Sequence, residues 1–164
     1  MADEKKVPKD FSALYDFGLR TQRGLAPERR TAGDVRMSAA VADLNVEYDE
    51  ATQLPVRVTR RTSASRLAAS TAATPDDAAR EFIQEHGDLW NLSDEDKSSV
   101  QVKSVSTRGL PTVRLIQQVD GKDVFNSEMR VALNSANGVV SVTGQLFAGA
   151  TAAPLGSARE AAVG

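Results

Sequence analysis

The clearest hydrophobic pattern in the chain runs over residues 115–147, LIQQVDGKDVFNSEMRVALNSANGVVSVTGQLF, where three runs of alternating apolar and polar residues are separated by two turn signals. Asp120-Gly121 stands between the first and second runs, and Asn137-Gly138 opens the third. Both pairs supply the positive φ angles that tight hairpins need, so the stretch predicts a three-stranded antiparallel meander. In the second strand Phe125, Met129, Val131 and Leu133 are expected on one face, with Asn126, Glu128, Arg130 and Ala132 on the other. In the third, Val140, Val142 and Leu146 share a face around the small Gly144. Upstream, Val100 and Val102 alternate with Gln101 and Lys103, and Thr107-Arg108-Gly109 turns the chain. Val113, Leu115 and Val119 then alternate with Arg114 and Gln118. Residues 99–147 thus read as four sequential strands with one apolar face.

An earlier pair of alternating runs predicts a hairpin over 44–59. Leu44, Val46 and Tyr48 alternate with Asn45 and Glu47, and after the polar turn DEATQ, Leu54, Val56 and Val58 alternate with Pro55 and Arg57. Proline cannot donate to a ladder, so Pro55 places the start of its strand there or the strand at an edge. The Ser-, Thr-, Ala- and Arg-rich residues 60–73 read as a connection with room for a short helical turn. Over 74–90 the period changes. Thr74 suits an N-cap, Pro75 the first helical position, and Asp76 and Asp77 the positive end of the helix dipole. Ala78, Ala79, Phe82, Ile83, His86, Leu89 and Trp90 fall on one face, with Gly87 weakening the last turn. One striped helix and a one-faced sheet predict an α+β, cystatin-like arrangement: a helix packed on an antiparallel meander, with the N-terminal hairpin added at an edge and the other sheet face left to solvent.

The ends are patterned more weakly. Residues 1–40 read as a polar arm, disordered or loosely docked, in which Phe11, Leu14, Tyr15 and Phe17 form a small apolar cluster able to pack, followed by the loop-like GLAPERRTAGD. Residues 148–154 have linker composition, and Ser157 and Glu160 are spaced as a capping box before an alanine-rich stretch. A helix of about one turn is not stable alone. The expected organisation is therefore an arm at 1–40, one globular unit at 41–147, and at 148–164 a linker with the start of a following helix, as in the front piece of a longer chain.

Composition removes several function classes. With 41% apolar and 26% charged residues, the chain is ordinary for a globular protein, and its 5% aromatics leave the core to Val, Leu, Ile and Ala. A net charge of -2 gives no footprint for nucleic acid and no polybasic membrane patch, and Arg29-Arg30 and Arg60-Arg61 are too short to make one. No apolar run approaches the roughly 18 residues of a membrane span. The opening MADEKKVPKDF lacks the apolar core of a secretory leader. Absence of cysteine excludes disulfides, thiol catalysis and cysteine-ligated zinc; a single histidine excludes a two-histidine metal site within the chain. His86 reads as a boundary residue of the helix and Trp90 as a core anchor. The acidic run Ser93-Asp94-Glu95-Asp96 lacks the ligand spacing and glycine of a calcium loop and reads as a turn or short helix start. One histidine and dispersed carboxylates give no acid–base constellation for an enzyme.

Two segments carry a family resemblance. Gln117-Gln118-Val119-Asp120-Gly121-Lys122-Asp123-Val124-Phe125, continued by Gly138-Val139-Val140-Ser141-Val142-Thr143-Gly144, resembles the fungalysin/thermolysin propeptide (FTP) domain. The likeness extends to the helix at 74–90 and to the hairpin before it. Asp16-Phe17-Gly18-Leu19-Arg20 is similar to a segment near the start of some bacterial fungalysin-like precursors, and LGSAREAAVG resembles entry into a following prodomain module. The resemblance implies a non-catalytic N-terminal prosegment, which assists folding of a secreted zinc metalloprotease and inhibits it until cleaved. It implies a metalloprotease catalytic domain as partner, in cis or in trans, and an extracellular destination. No cofactor is expected in this chain, which has no HExxH; zinc would belong to the catalytic domain. The candidate docking surface is Asp120, Lys122, Asn126, Glu128 and Arg130, while Asp120, Gly121, Asn137 and Gly138 are structural turn residues. A stand-alone cystatin-like binding module or trans-acting protease inhibitor is the alternative.

Overall fold

Alternating strands and capped helices are what the computed structural model shows, over residues 21–23, 31–62 and 66–150. In chain order they are β1 (Thr21–Arg23), α1 (Ala32–Ala40), β2 (Leu44–Asp49), β3 (Pro55–Arg60), α2 (Pro75–His86), a 3-10 turn (Gly87–Trp90), α3 (Asp94–Ser98), β4 (Val100–Ser106), β5 (Thr112–Val119), β6 (Lys122–Leu133) and β7 (Val139–Gln145). The strands form one sheet in the order β1-β2-β3-β7-β6-β5-β4, with every pair antiparallel. The fold is α+β. Helices and sheet close over a single core containing Val58, Phe82, Ile83, Leu89, Trp90, Val113, Leu115, Met129, Val131, Leu133, Val142 and Leu146.

Local chemistry sets the element ends. Thr74 caps α2 by accepting from the Asp77 N–H, Pro75 opens the helix, and Asp76 and Asp77 lie in its first turn. The 74–90 stretch divides at Gly87: the α-helix stops at His86 and a tighter turn carries Leu89 and Trp90 into the core, ending on Asn91 at φ 58°. Trp90 is fully buried and its indole N–H donates to the Pro55 carbonyl at 2.8 Å. His86 stays half-buried beside Phe82, and burial pushes its imidazole below the ordinary value, opposed by the Glu85 carboxylate. The acidic run at 93–96 is a capping box, with Ser93 and Asp96 exchanging side-chain and backbone hydrogen bonds at the start of α3.

Several expectations change here. Part of the loop-like GLAPERRTAGD is the beginning of α1, capped by Thr31, which accepts from Asp34 N–H and donates to the Leu89 carbonyl at 3.2 Å. Asp34 is buried, and its carboxylate accepts from the Tyr48 hydroxyl and from Ser38 Oγ. Met37 joins the core. The Phe11, Leu14, Tyr15 and Phe17 cluster, the Asp16 to Arg20 segment and residues 151–164 lie outside the described residues. Pro55 begins β3, but β3 is interior, paired with β2 and β7; the edges of the sheet are β1 and β4. In β7 the inward residue is Val139 rather than Val140, because the ladder slips between Ala132 and Leu133. The described part of the 60–73 connection holds no helical turn; it places Leu67 in the core and bridges Ala68 to Val139. Phe125, expected in the core with Met129, is 86% exposed.

Candidate functional site

The core uses one face of the sheet, so the opposite face is defined by register. Across it, Glu47 on β2 stands opposite Arg57 on β3, Arg57 opposite Thr143 on β7, Thr143 opposite Arg130 on β6, Arg130 opposite Arg114 on β5, and Arg114 opposite Ser104 on β4. Two guanidiniums directly opposite each other on neighbouring strands repel. Glu128 offsets this by bridging both, with Arg114 Nη2 at 2.6 Å from Oε2 and Arg130 Nε at 3.0 Å from Oε1. The Arg114 hydrogen bond, and after it that of Arg130, holds the Glu128 carboxyl below the usual carboxylate range against the opposing effect of burial. The same bond raises Arg114 above its ordinary value. Arg57 and Arg130 are exposed. The row is therefore a polar, weakly cationic surface whose guanidiniums can pair with carboxylates.

A break in β6 sits beside this row. The step from Ile116 to Gln118 on β5 covers two residues, while the matching step from Asp123 to Glu128 on β6 covers five. Residues 124–127 face Gln117 alone, with Phe125 and Asn126 exposed and Ser127 turned in. Asn126 takes up a left-handed φ of 62°. Ser127, 3% exposed, substitutes for the missing ladder bond: its hydroxyl accepts from the Gln117 N–H at 2.9 Å and donates to the Val124 carbonyl at 3.0 Å. The fully buried Gln117 amide then grips the Phe147 backbone, accepting from its N–H at 2.7 Å and donating to its carbonyl at 2.8 Å. Because the register slips by an odd number of residues, the strand changes phase. Phe125 lies within the break and so loses its alternation with Met129.

At the end of the hairpin, Asp120 and Gly121 have φ of 53° and 74°, as a two-residue turn requires, and Lys122 is exposed. Asp123 accepts from Gln118 Nε2 at 2.7 Å and from Lys103 Nζ at 3.1 Å, and these bonds, the Gln118 one first, hold its carboxyl below the usual range. At the other hairpin Asn137 has φ 60°, whereas Gly138 needs no positive φ; it is packed so that a Cβ would lie 3.1 Å from Arg66 Cδ.

The five residues expected at a docking surface therefore fall in three places. Asp120 and Lys122 are at the hairpin tip, Asn126 in the break, and Glu128 and Arg130 in the charged row, where alone the structure joins them. Their strand β6 is interior and paired on both sides to β5 and β7 over Glu128–Leu133, whereas residues 122–127 have no partner on β7. At Glu128 and Arg130 the strand can therefore present side chains to a partner but not an open backbone edge. Arg114, Gln117 and the outward Phe125 escape a reading of the sequence, because counting back from the Asp120-Gly121 turn would set Arg114 against Ser127. The one signal for the slip is Asn126, a residue that tolerates left-handed backbone.

Residues 99–146 match the family model described as the Fungalysin/Thermolysin Propeptide Motif, FTP. The match coincides with β4 to β7, the strands that carry the break and most of the charged row. No curated protein and no solved structure matches the chain.

Proposed function

We propose that this chain serves as a non-catalytic prosegment of a secreted fungalysin- or thermolysin-type zinc metalloprotease, assisting the folding of the catalytic domain and blocking its cleft until removed. The observation that carries the reading is the FTP match over 99–146, on the strands that carry most of the charged row. We read the helix-on-sheet arrangement as cystatin-like. Zinc would be held by the catalytic domain, as the match to a metalloprotease propeptide family implies; among the described residues no three His, Cys, Asp or Glu side chains come together. Likewise, no helix among the described residues is long and apolar enough to cross a membrane.

Docking through β6 would use side chains. Glu128 and Arg130, with Arg114 and Thr143 beside them, would pair with polar groups on the catalytic domain, while the turn at Asp120 and Lys122 would meet its rim. The test is hydrolysis of a peptide by an active thermolysin-type protease with the purified chain added. Inhibition is expected, weakened by Glu128→Ala with Arg130→Ala while the far-ultraviolet circular dichroism stays unchanged. Neither inhibition nor binding at about tens of micromolar, roughly -7 kcal/mol of binding free energy, would overturn the proposal.

A further inference from the structure

We propose that Phe125 is a preformed aromatic anchor, which inserts into an apolar socket rimmed by carboxylates on the protease catalytic domain; this rests on the prosegment reading above. Three observations converge on it. First, Phe125 is 86% exposed in a chain with only 5% aromatic residues, whereas the comparably large Trp90 and Phe82 are at most 2% exposed. Burying such a ring against a partner is a major source of interface affinity, and well-packed aromatic anchors are among the residues whose truncation weakens binding most.

Second, the exposure is constructed. Without the break in β6, Phe125 would keep its alternation with Met129 and Val131, both fully buried. Instead Asn126 takes the left-handed region, and Ser127 and Gln117, 3% and 0% exposed, spend buried hydrogen-bonding capacity on holding residues 124–127 outside the ladder. A buried, fully satisfied polar network fixes one geometry. The backbone that carries the ring is thus held by buried hydrogen bonds, which lowers the ordering cost of binding.

Third, the surroundings have the anatomy of an interface rim. Asp123 is flanked by Gln118 and Lys103, and three residues beyond Phe125 the Arg114–Glu128–Arg130 group holds two guanidiniums around one carboxylate. An anchor next to a surplus of guanidinium fits a socket bordered by Asp or Glu.

The experiment measures the Kd of the full chain for thermolysin by surface plasmon resonance, for the wild type, Phe125→Ala and Phe125→Leu. Because the ring is exposed, neither substitution should shift the thermal midpoint. The expected result is a Kd about thirtyfold weaker for Phe125→Ala, with Phe125→Leu between the two, and looser binding of the wild type as salt rises. Equal affinity of wild type and Phe125→Ala would overturn the anchor and leave the prosegment reading standing. A wild type that does not bind would remove both. Affinity unaffected by salt would overturn the carboxylate rim alone.

Discussion

Gly144 is the position where the sheet tolerates no side chain. Its φ is 100°, and a Cβ would lie 2.1 Å from the Glu128 carbonyl oxygen, inside the β6–β7 ladder. Gly144→Ala should therefore cost about 3 kcal/mol or more, combining backbone strain with a forced separation of two core strands. The emission of Trp90, the single tryptophan and fully buried, reports unfolding in urea and would show the lower midpoint. Asp43 gives a second residue-scale prediction. Hydrogen bonding from Thr62, joined by the Arg60 guanidinium, lowers its pKa from 3.8 to about 2. A depressed carboxyl contributes stability that is present above 3.8 and lost as pH falls towards about 2. Glu128 and Asp123 act in the same direction. Urea midpoints taken between about pH 5 and pH 2 should fall with acid, and Asp43→Asn should flatten part of that fall.

At the scale of elements, legibility followed the means by which each one is buried. The helix α2 and strands β4 to β7 bury apolar stripes of regular period, so their existence could be read directly, together with the Thr74 cap and the Asp120-Gly121 turn. The helix α1 buries Gly33 and Asp34 beside a single core side chain, Met37. A Cβ on Gly33 would lie 2.5 Å from the Leu89 backbone nitrogen, and the Asp34 carboxylate meets the Tyr48 hydroxyl from a strand more than ten residues away. Such contacts are set by tertiary packing and leave no period in the sequence. The same holds for the break in β6, where one Asn and one Ser change the phase of a strand whose alternation otherwise continues. The candidate site was consequently half legible: Glu128 and Arg130 could be named, but their partner Arg114 and the outward Phe125 could not. Replacing Tyr48 with Phe tests the α1 contact, since it removes a donor from a buried carboxylate. The expected cost is about 1–3 kcal/mol, read as a lower urea midpoint, with the helical signal of α2 retained until the main transition.

Over the whole molecule, the family match and the folding unit differ in extent. The matched residues 99–146 supply β4 to β7, but the apolar face of those strands is covered by side chains from outside the match. Met37 from α1 and Val41 at its C-cap, Val58 from β3, Leu67, and Phe82, Ile83, Leu89 and Trp90 from α2 and the turn after it all join one core with Val113, Leu115, Met129, Val131 and Leu133. Trp90 is also tied by its indole to Pro55, and Thr31 to Leu89. An antiparallel sheet of four strands with one bare apolar face lacks a second layer and would associate through that face. A fragment of residues 99–150 should therefore fail to give a monomeric fold, showing aggregation on size exclusion or weak, non-cooperative denaturation. Residues 31–150 should unfold in one transition, with Trp90 emission and far-ultraviolet circular dichroism coinciding. A soluble, cooperatively folding 99–150 fragment would show that the helical layer is an accessory. Separate transitions in 31–150 would place the hairpin and α1 in a unit of their own, and the charged row on β6 would then be held by the matched strands alone.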